Sequence, residues 1–162
     1  MNDAIKSVKI GLLMVMLTLV FGIGLGITFG VAEDSLQSYI STGVAAHADL
    51  HDDKSSGKIW RYAQRAHFHA TGIAAFSLGL VLLIGASSLK TKLKTVAAVL
   101  VGLGGLYPLS WFSMFLLSPS IGRDLAHEHI VTEMFTFIGV GSLLLGLAIL
   151  SANLFFNLFR DV

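Results

Sequence analysis

Apolar residues fall in four blocks, Val8 to Val31, Ala66 to Leu89, Thr95 to Leu117 and Ile130 to Leu158, each about 23 to 29 residues long and nearly free of charge. A bilayer core about 30 Å thick is crossed by about 20 helical residues, so each block is long enough for one crossing. Four crossings joined by polar connections predict an all-α fold: an integral membrane antiparallel four-helix bundle, with residues 1–162 forming one domain.

Within the first span Gly22, Gly26 and Gly30 recur every four residues and form a smooth stripe on one helical face. In lipid such a stripe lets another backbone approach closely. Two readings follow, tight packing inside the bundle or a contact between subunits. Residues 32–58 form a polar first connection of 27 residues, with Ser55-Ser56-Gly57 as an expected turn. Leu36, Tyr39 and Ile40 are spaced for a short interfacial helix near 34–42. Pro108 is expected to kink the third span and free a carbonyl, and Pro119 to mark its exit.

Composition agrees with this pattern. Charged residues make up 13% of the chain, against about 25% in a soluble domain. Residues 1–7 lack the form of a signal peptide, because the apolar run behind them is too long and no small-residue cleavage site follows. The first block therefore reads as a mature helix. There is no cysteine, which removes disulfides and thiolate metal sites, and a net charge of +1 without a basic run argues against nucleic acid. Lys90, Lys92 and Lys94 in the second connection, with Lys6 and Lys9, predict that both termini are cytoplasmic. The expected setting is an inner or cytoplasmic membrane.

That orientation puts all six histidines at the opposite, extracytoplasmic end: His47, His51, His67, His69, His127 and His129. Ionisable groups at membrane depth are expensive, and they point by default to a functional site. His67 and His69 open the second span beside Trp60, Tyr62, Arg61 and Arg65. Two residues apart, they differ by about 200° around the helix and cannot chelate one ion from one face. Arg65 and His69 share a face, and an arginine beside a histidine suits an anionic group such as a haem propionate. His129 and Glu133, four apart, suit a metal-ligand pair or a histidine oriented by a carboxylate. His127 stands beside them. Glu133 in an apolar span calls for a partner, with His69, His129, Arg65 or a bound cation as candidates. His47 and His51 would form a chelating face if their segment is helical. Imidazoles and carboxylates without sulfur suit zinc, copper, iron or haem iron. The plainer reading of each residue is an interfacial polar group with satisfied hydrogen bonds.

Three segments carry a family resemblance: Ile10-Gly11 through Phe21 to Leu25, the Trp60…Arg65-Ala66-His67 stretch, and Thr132-Glu133-Met-Phe-Thr-Phe137. At these spacings the chain resembles styrene oxide isomerases, small four-helix membrane proteins that bind haem b and rearrange epoxides to aldehydes. The resemblance implies haem b with His67 as axial ligand, a homotrimer to which the glycine stripe would contribute, and a small apolar substrate. Where that family carries a catalytic asparagine and tyrosine, this chain has Ile73 and Phe112, so no catalytic residue is assigned. The alternative is a non-haem zinc, copper or iron site built from His69, His127, His129 and Glu133, with His47 and His51 in addition, serving redox chemistry, oxidation or metal handling.

Overall fold

The computed structural model describes residues 3–161 and is helical almost throughout. In chain order the elements are α1 (Asp3–Ala46), a 3-10 turn (Ala48–Leu50), α2 (Ser55–Ala86), α3 (Thr91–Leu103), a 3-10 turn (Gly104–Leu106), α4 (Tyr107–Ile121), α5 (Arg123–Glu128) and α6 (Ile130–Phe156). Four stretches are long and apolar enough to cross a membrane: Ile5–Ala46, Ser55–Ala86, Thr91–Ile121 and Ile130–Phe156. The chain is an all-α bundle of four membrane-spanning segments.

The first connection differs from its expected form. Helix continues through most of 32–58, and only the stretch between Ala46 and Ser55 interrupts it. α1 bends at Ala32 (φ −141°, ψ 24°), where the apolar run meets Glu33 and Asp34, then continues to Ala46. The helix expected near 34–42 is this continuation. Ser55-Ser56-Gly57 is the first turn of α2 and not a loop turn. Asp52 ties down the approach to that start: its Oδ1 accepts from the Lys54 amide at 3.1 Å and the Ser55 hydroxyl at 2.7 Å. Residues 55–65 thus carry α2 roughly 16 Å beyond the apolar block. Ile40, Ile59, Ala63 and Phe115 form a second small core there, flanked by Leu36, Trp60 and Phe112.

The third span is disturbed just before Pro108, as expected: Gly104–Leu106 tighten into 3-10 geometry between α3 and α4. The Gly104 carbonyl, which loses its helical donor at Pro108, is not left free, because it accepts from the Tyr107 amide. Pro119 lies inside the last turn of α4, and Gly122, at φ +81°, makes the exit. That backbone region favours glycine.

The main core joins Val8, Val15, Val81, Ile84, Ala97, Ala98, Val101 and Leu150. Glycines bring its helices close together. A side-chain carbon at Gly11 would collide with the Ala98 backbone, and one at Gly139 would stand 2.5 Å from the Tyr107 amide nitrogen. The first three spans contact one another, whereas α6 packs mainly on the third span and α5. Its outer face is apolar and open, with Phe137 71% and Phe155 75% exposed. At one end Thr95 bonds the Ser7 carbonyl, and the Lys90 amide bonds the Phe159 carbonyl. At the other, His51 meets the Pro119 carbonyl and Asp52 pairs with Arg123. Both termini therefore lie with the α2–α3 turn, and the first and third connections meet at the opposite end.

Candidate functional site

His67 and His69 leave α2 toward different neighbours. Half-buried His67 faces α1, where its Nδ1 lies 2.8 Å from the Gly22 carbonyl oxygen. A carbonyl only accepts, so Nδ1 carries a proton, and in the neutral ring the lone pair is then on Nε2. That Nε2 makes no hydrogen bond among the described residues. Room for the ring comes from Gly26, where a side-chain carbon would stand 2.8 Å from Cε1. Phe29 meets the imidazole edge-on at 5.7 Å and Phe68 lies at 5.3 Å. The histidine is held by one polar bond and two aromatic contacts, with its second nitrogen unspent.

Glycine-stripe packing follows from this arrangement. Gly22 abuts Ala70 and Thr71, and Gly26 abuts His67, so two of the three glycines serve contacts within the chain. A side-chain carbon at Gly24 or Gly30 would meet nothing within 4 Å.

His69 faces α4. Its Nδ1 donates to the Arg65 carbonyl one turn back at 2.8 Å. The ring stacks on Trp111 (5.6 Å, 25° between planes) and meets Tyr107 edge-on at 5.2 Å. The Arg65 guanidinium carbon lies 4.7 Å from the Trp111 ring centre, and Tyr62 lies at 5.9 Å. Arg65 and His69 thus share a face, as their spacing requires, but it is not the face of His67. Between α4, α5 and α6 a cavity of about 150 Å³ is bounded by Tyr107, Trp111, Phe137, His127 and Glu133. The Trp111 Nε1–H is buried without an acceptor.

The remaining histidines disperse. His127 is exposed on α5. Nδ1 of His129 accepts from the Val131 amide at 3.3 Å and caps α6, so its lone pair is used locally. His47 points back to the Gly43 carbonyl at 3.1 Å. His51 points across to the Pro119 carbonyl at 3.2 Å, with Nδ1 buried and unpartnered. The 3-10 turn between His47 and His51 breaks the helical face that their spacing would have formed. Glu133 is exposed in the first turn of α6, and its carboxylate pairs with none of His69, His129 or Arg65. Among the described residues no group of three or more His, Asp or Glu side chains stands together so as to hold a metal ion. His69 packs on Tyr107 and Trp111, and His127 and Glu133 bound the cavity that those two rings also line.

The carboxylate between the two connections is fully paired. Asp52 accepts from Ser55, ion-pairs with Lys58 at 3.3 Å and stands 3.7 Å from Arg123. The Ser55 hydroxyl bond, followed by the Lys58 bond and charge, holds its carboxyl down at about 2.

No protein-family model, curated protein or solved structure matches this chain. The geometry itself must carry the functional reading. Trp111 was missed in the sequence, although Tyr107 and Trp111, four residues apart in a span, form an aromatic face.

Proposed function

We propose that this protein is an integral membrane haem b protein in which Nε2 of His67 is the axial ligand. One observation carries the reading: the Gly22 carbonyl takes the Nδ1 proton and leaves a positioned, half-buried imidazole with its other nitrogen free. Iron-ligating histidines are oriented in this way by a second-nitrogen hydrogen bond. Dispersal of the other histidines favours the same reading. Porphyrin supplies four donors to its iron, so one protein imidazole suffices, whereas a lone zinc ion takes three or four. Open space remains along α1 at Gly30, on the side that carries Gly22 and Gly26. A second copy would close it, in keeping with the trimer of the isomerases the sequence resembles. Bound there, haem would supply Lewis-acid chemistry toward an epoxide oxygen or the exchange of electrons. Arg65 and His69, turned toward Trp111, lie outside this proposal. The histidine end is placed extracytoplasmic on the lysine pattern.

The test is an absorption spectrum and pyridine haemochrome of protein purified from haem-supplied cells. We expect a Soret band that is lost in His67→Gly, restored by added imidazole and retained in His69→Ala. Colourless protein, or a band indifferent to His67, overturns the proposal. Stoichiometric zinc or copper without porphyrin would transfer the function to the non-haem alternative.

A further inference from the structure

The α4–α5–α6 corner is a second site, independent of any cofactor at His67. Its cavity of about 150 Å³ is the size known to admit a single benzene ring in a protein interior. Unlike a dry cavity, it carries polar groups with unspent capacity. Trp111 offers a buried N–H with no acceptor. Tyr107 makes ring contacts, and its hydroxyl has no hydrogen-bond partner among the described residues. Ser110 and Thr136 already donate, to the Tyr107 carbonyl at 2.7 Å and the Thr132 carbonyl at 2.9 Å, so they present only lone pairs to the cavity. Among the described residues Glu133 is unpaired on the rim, and His127 adds an imidazole without a hydrogen bond.

Tyr107 and Trp111 on α4 and Glu133 and Thr136 on α6 line the same cavity. Aromatic side chains, Tyr107, Trp111 and Phe137, supply the walls. The complement is a planar ring bearing oxygens at opposite ends. One oxygen accepts from the Trp111 N–H, and a hydroxyl at the other end donates to Glu133. Phe137 and Met134, 71% and 51% exposed on the outer face of α6, are placed to pass an alkyl tail into lipid. We propose that this corner binds a hydroxylated aromatic ring of the hydroquinone or phenol class that arrives from the bilayer.

The experiment uses full-length ¹⁵N-labelled protein in lipid nanodiscs under argon. Comparison with Trp60→Phe assigns the two indole N–H resonances. Decylhydroquinone is titrated in, with decylbenzene as a probe that partitions equally and has no oxygen. We expect a saturable downfield shift of the Trp111 indole proton with decylhydroquinone only. Glu133→Ala should weaken it about tenfold, as for loss of a hydrogen bond to a charged group. Glu133 is exposed, so the variant should keep the parent's melting temperature. Hydroquinone without a tail separates the sources: weaker binding assigns the ligand to the bilayer, equal binding to a dissolved phenol, and both support the site. The proposal is overturned if decylbenzene shifts the indole equally, if the shift never saturates, or if Glu133→Ala leaves it unchanged.

Discussion

Two regions meet across α2, and they treat similar residues in opposite ways. On the α1 side a single histidine sits against glycines, its proton given to a backbone carbonyl from another helix. On the α4 side His69 returns its proton to its own helix and uses its ring to stack on Trp111. The seam is defined by missing side chains, the corner by an excess of aromatic ones. A histidine whose Nδ1 bonds a foreign carbonyl is held in place with its other nitrogen unbonded. One bonded within its own turn is part of a wall, and the chemistry of that corner passes to Trp111, His127 and Glu133.

The largest effect should come from forcing α6 off α4. Gly139→Leu places its first side-chain carbon 2.5 Å from the Tyr107 nitrogen. Backbone cannot yield as a side chain can, so we expect a loss of about 3 kcal/mol, as for severe overpacking, read by denaturant unfolding in detergent. The Trp111 indole resonance should move while the His67 ring signals stay in place. Movement of both would break the comparison, since independent regions respond independently.

Gly26→Ala tests the seam alone. Its new carbon would lie 2.8 Å from Cε1 of His67, so the imidazole must turn and release the Gly22 carbonyl. The expected loss is about 1–2 kcal/mol, the cost of one buried hydrogen bond with some strain. Imidazole ¹⁵N shifts should show the fixed Nδ1–H tautomer giving way to a mixture. An unchanged tautomer would mean that the Gly22 bond does not set it.

A smaller effect sharpens the corner. Arg65 over Trp111 is a cation–π contact on an exposed arginine, worth about 0.5–1 kcal/mol. A cycle of Arg65→Gln, Trp111→Phe and the double variant should give a coupling of that size at the melting transition. Zero coupling would reduce the pair to mere proximity.

The spans were legible because their signal is length, and length in apolar residues answers directly to bilayer thickness. The divergence of His67 and His69 was legible too, since it depends only on 100° per residue. The neighbour each one meets was not, because helix order around the bundle leaves no local trace. Helix ahead of the apolar block was also hidden: Ser55-Ser56-Gly57 has turn composition, yet it forms the first turn of α2. His129 reads as a ligand beside Glu133 when spacing alone is considered. Its place just before the apolar run, with Glu133 in the first turn, equally fits an N-cap, and that is the role it takes.

Asp52 gives the smallest expected effect and the clearest contrast with Glu133, since it has every partner that Glu133 lacks. Its carboxyl is lowered from the ordinary 3.8 to about 2 by Ser55 first and Lys58 second. A depressed folded-state value means that its contribution to holding the connection is complete above about pH 4 and is lost as pH falls through about 2. The Lys54 amide, which donates to Asp52 at 3.1 Å, reports this directly: its proton shift should titrate with a midpoint near 2. Ser55→Ala removes the largest cause and should move the midpoint up toward 3.8. Lys58→Ala should move it less, because its bond is longer and exposed. A reversed order would assign the shift to charge and not to the hydroxyl. The stretch leading into α2 would then depend on ionic strength, as a paired surface carboxylate does.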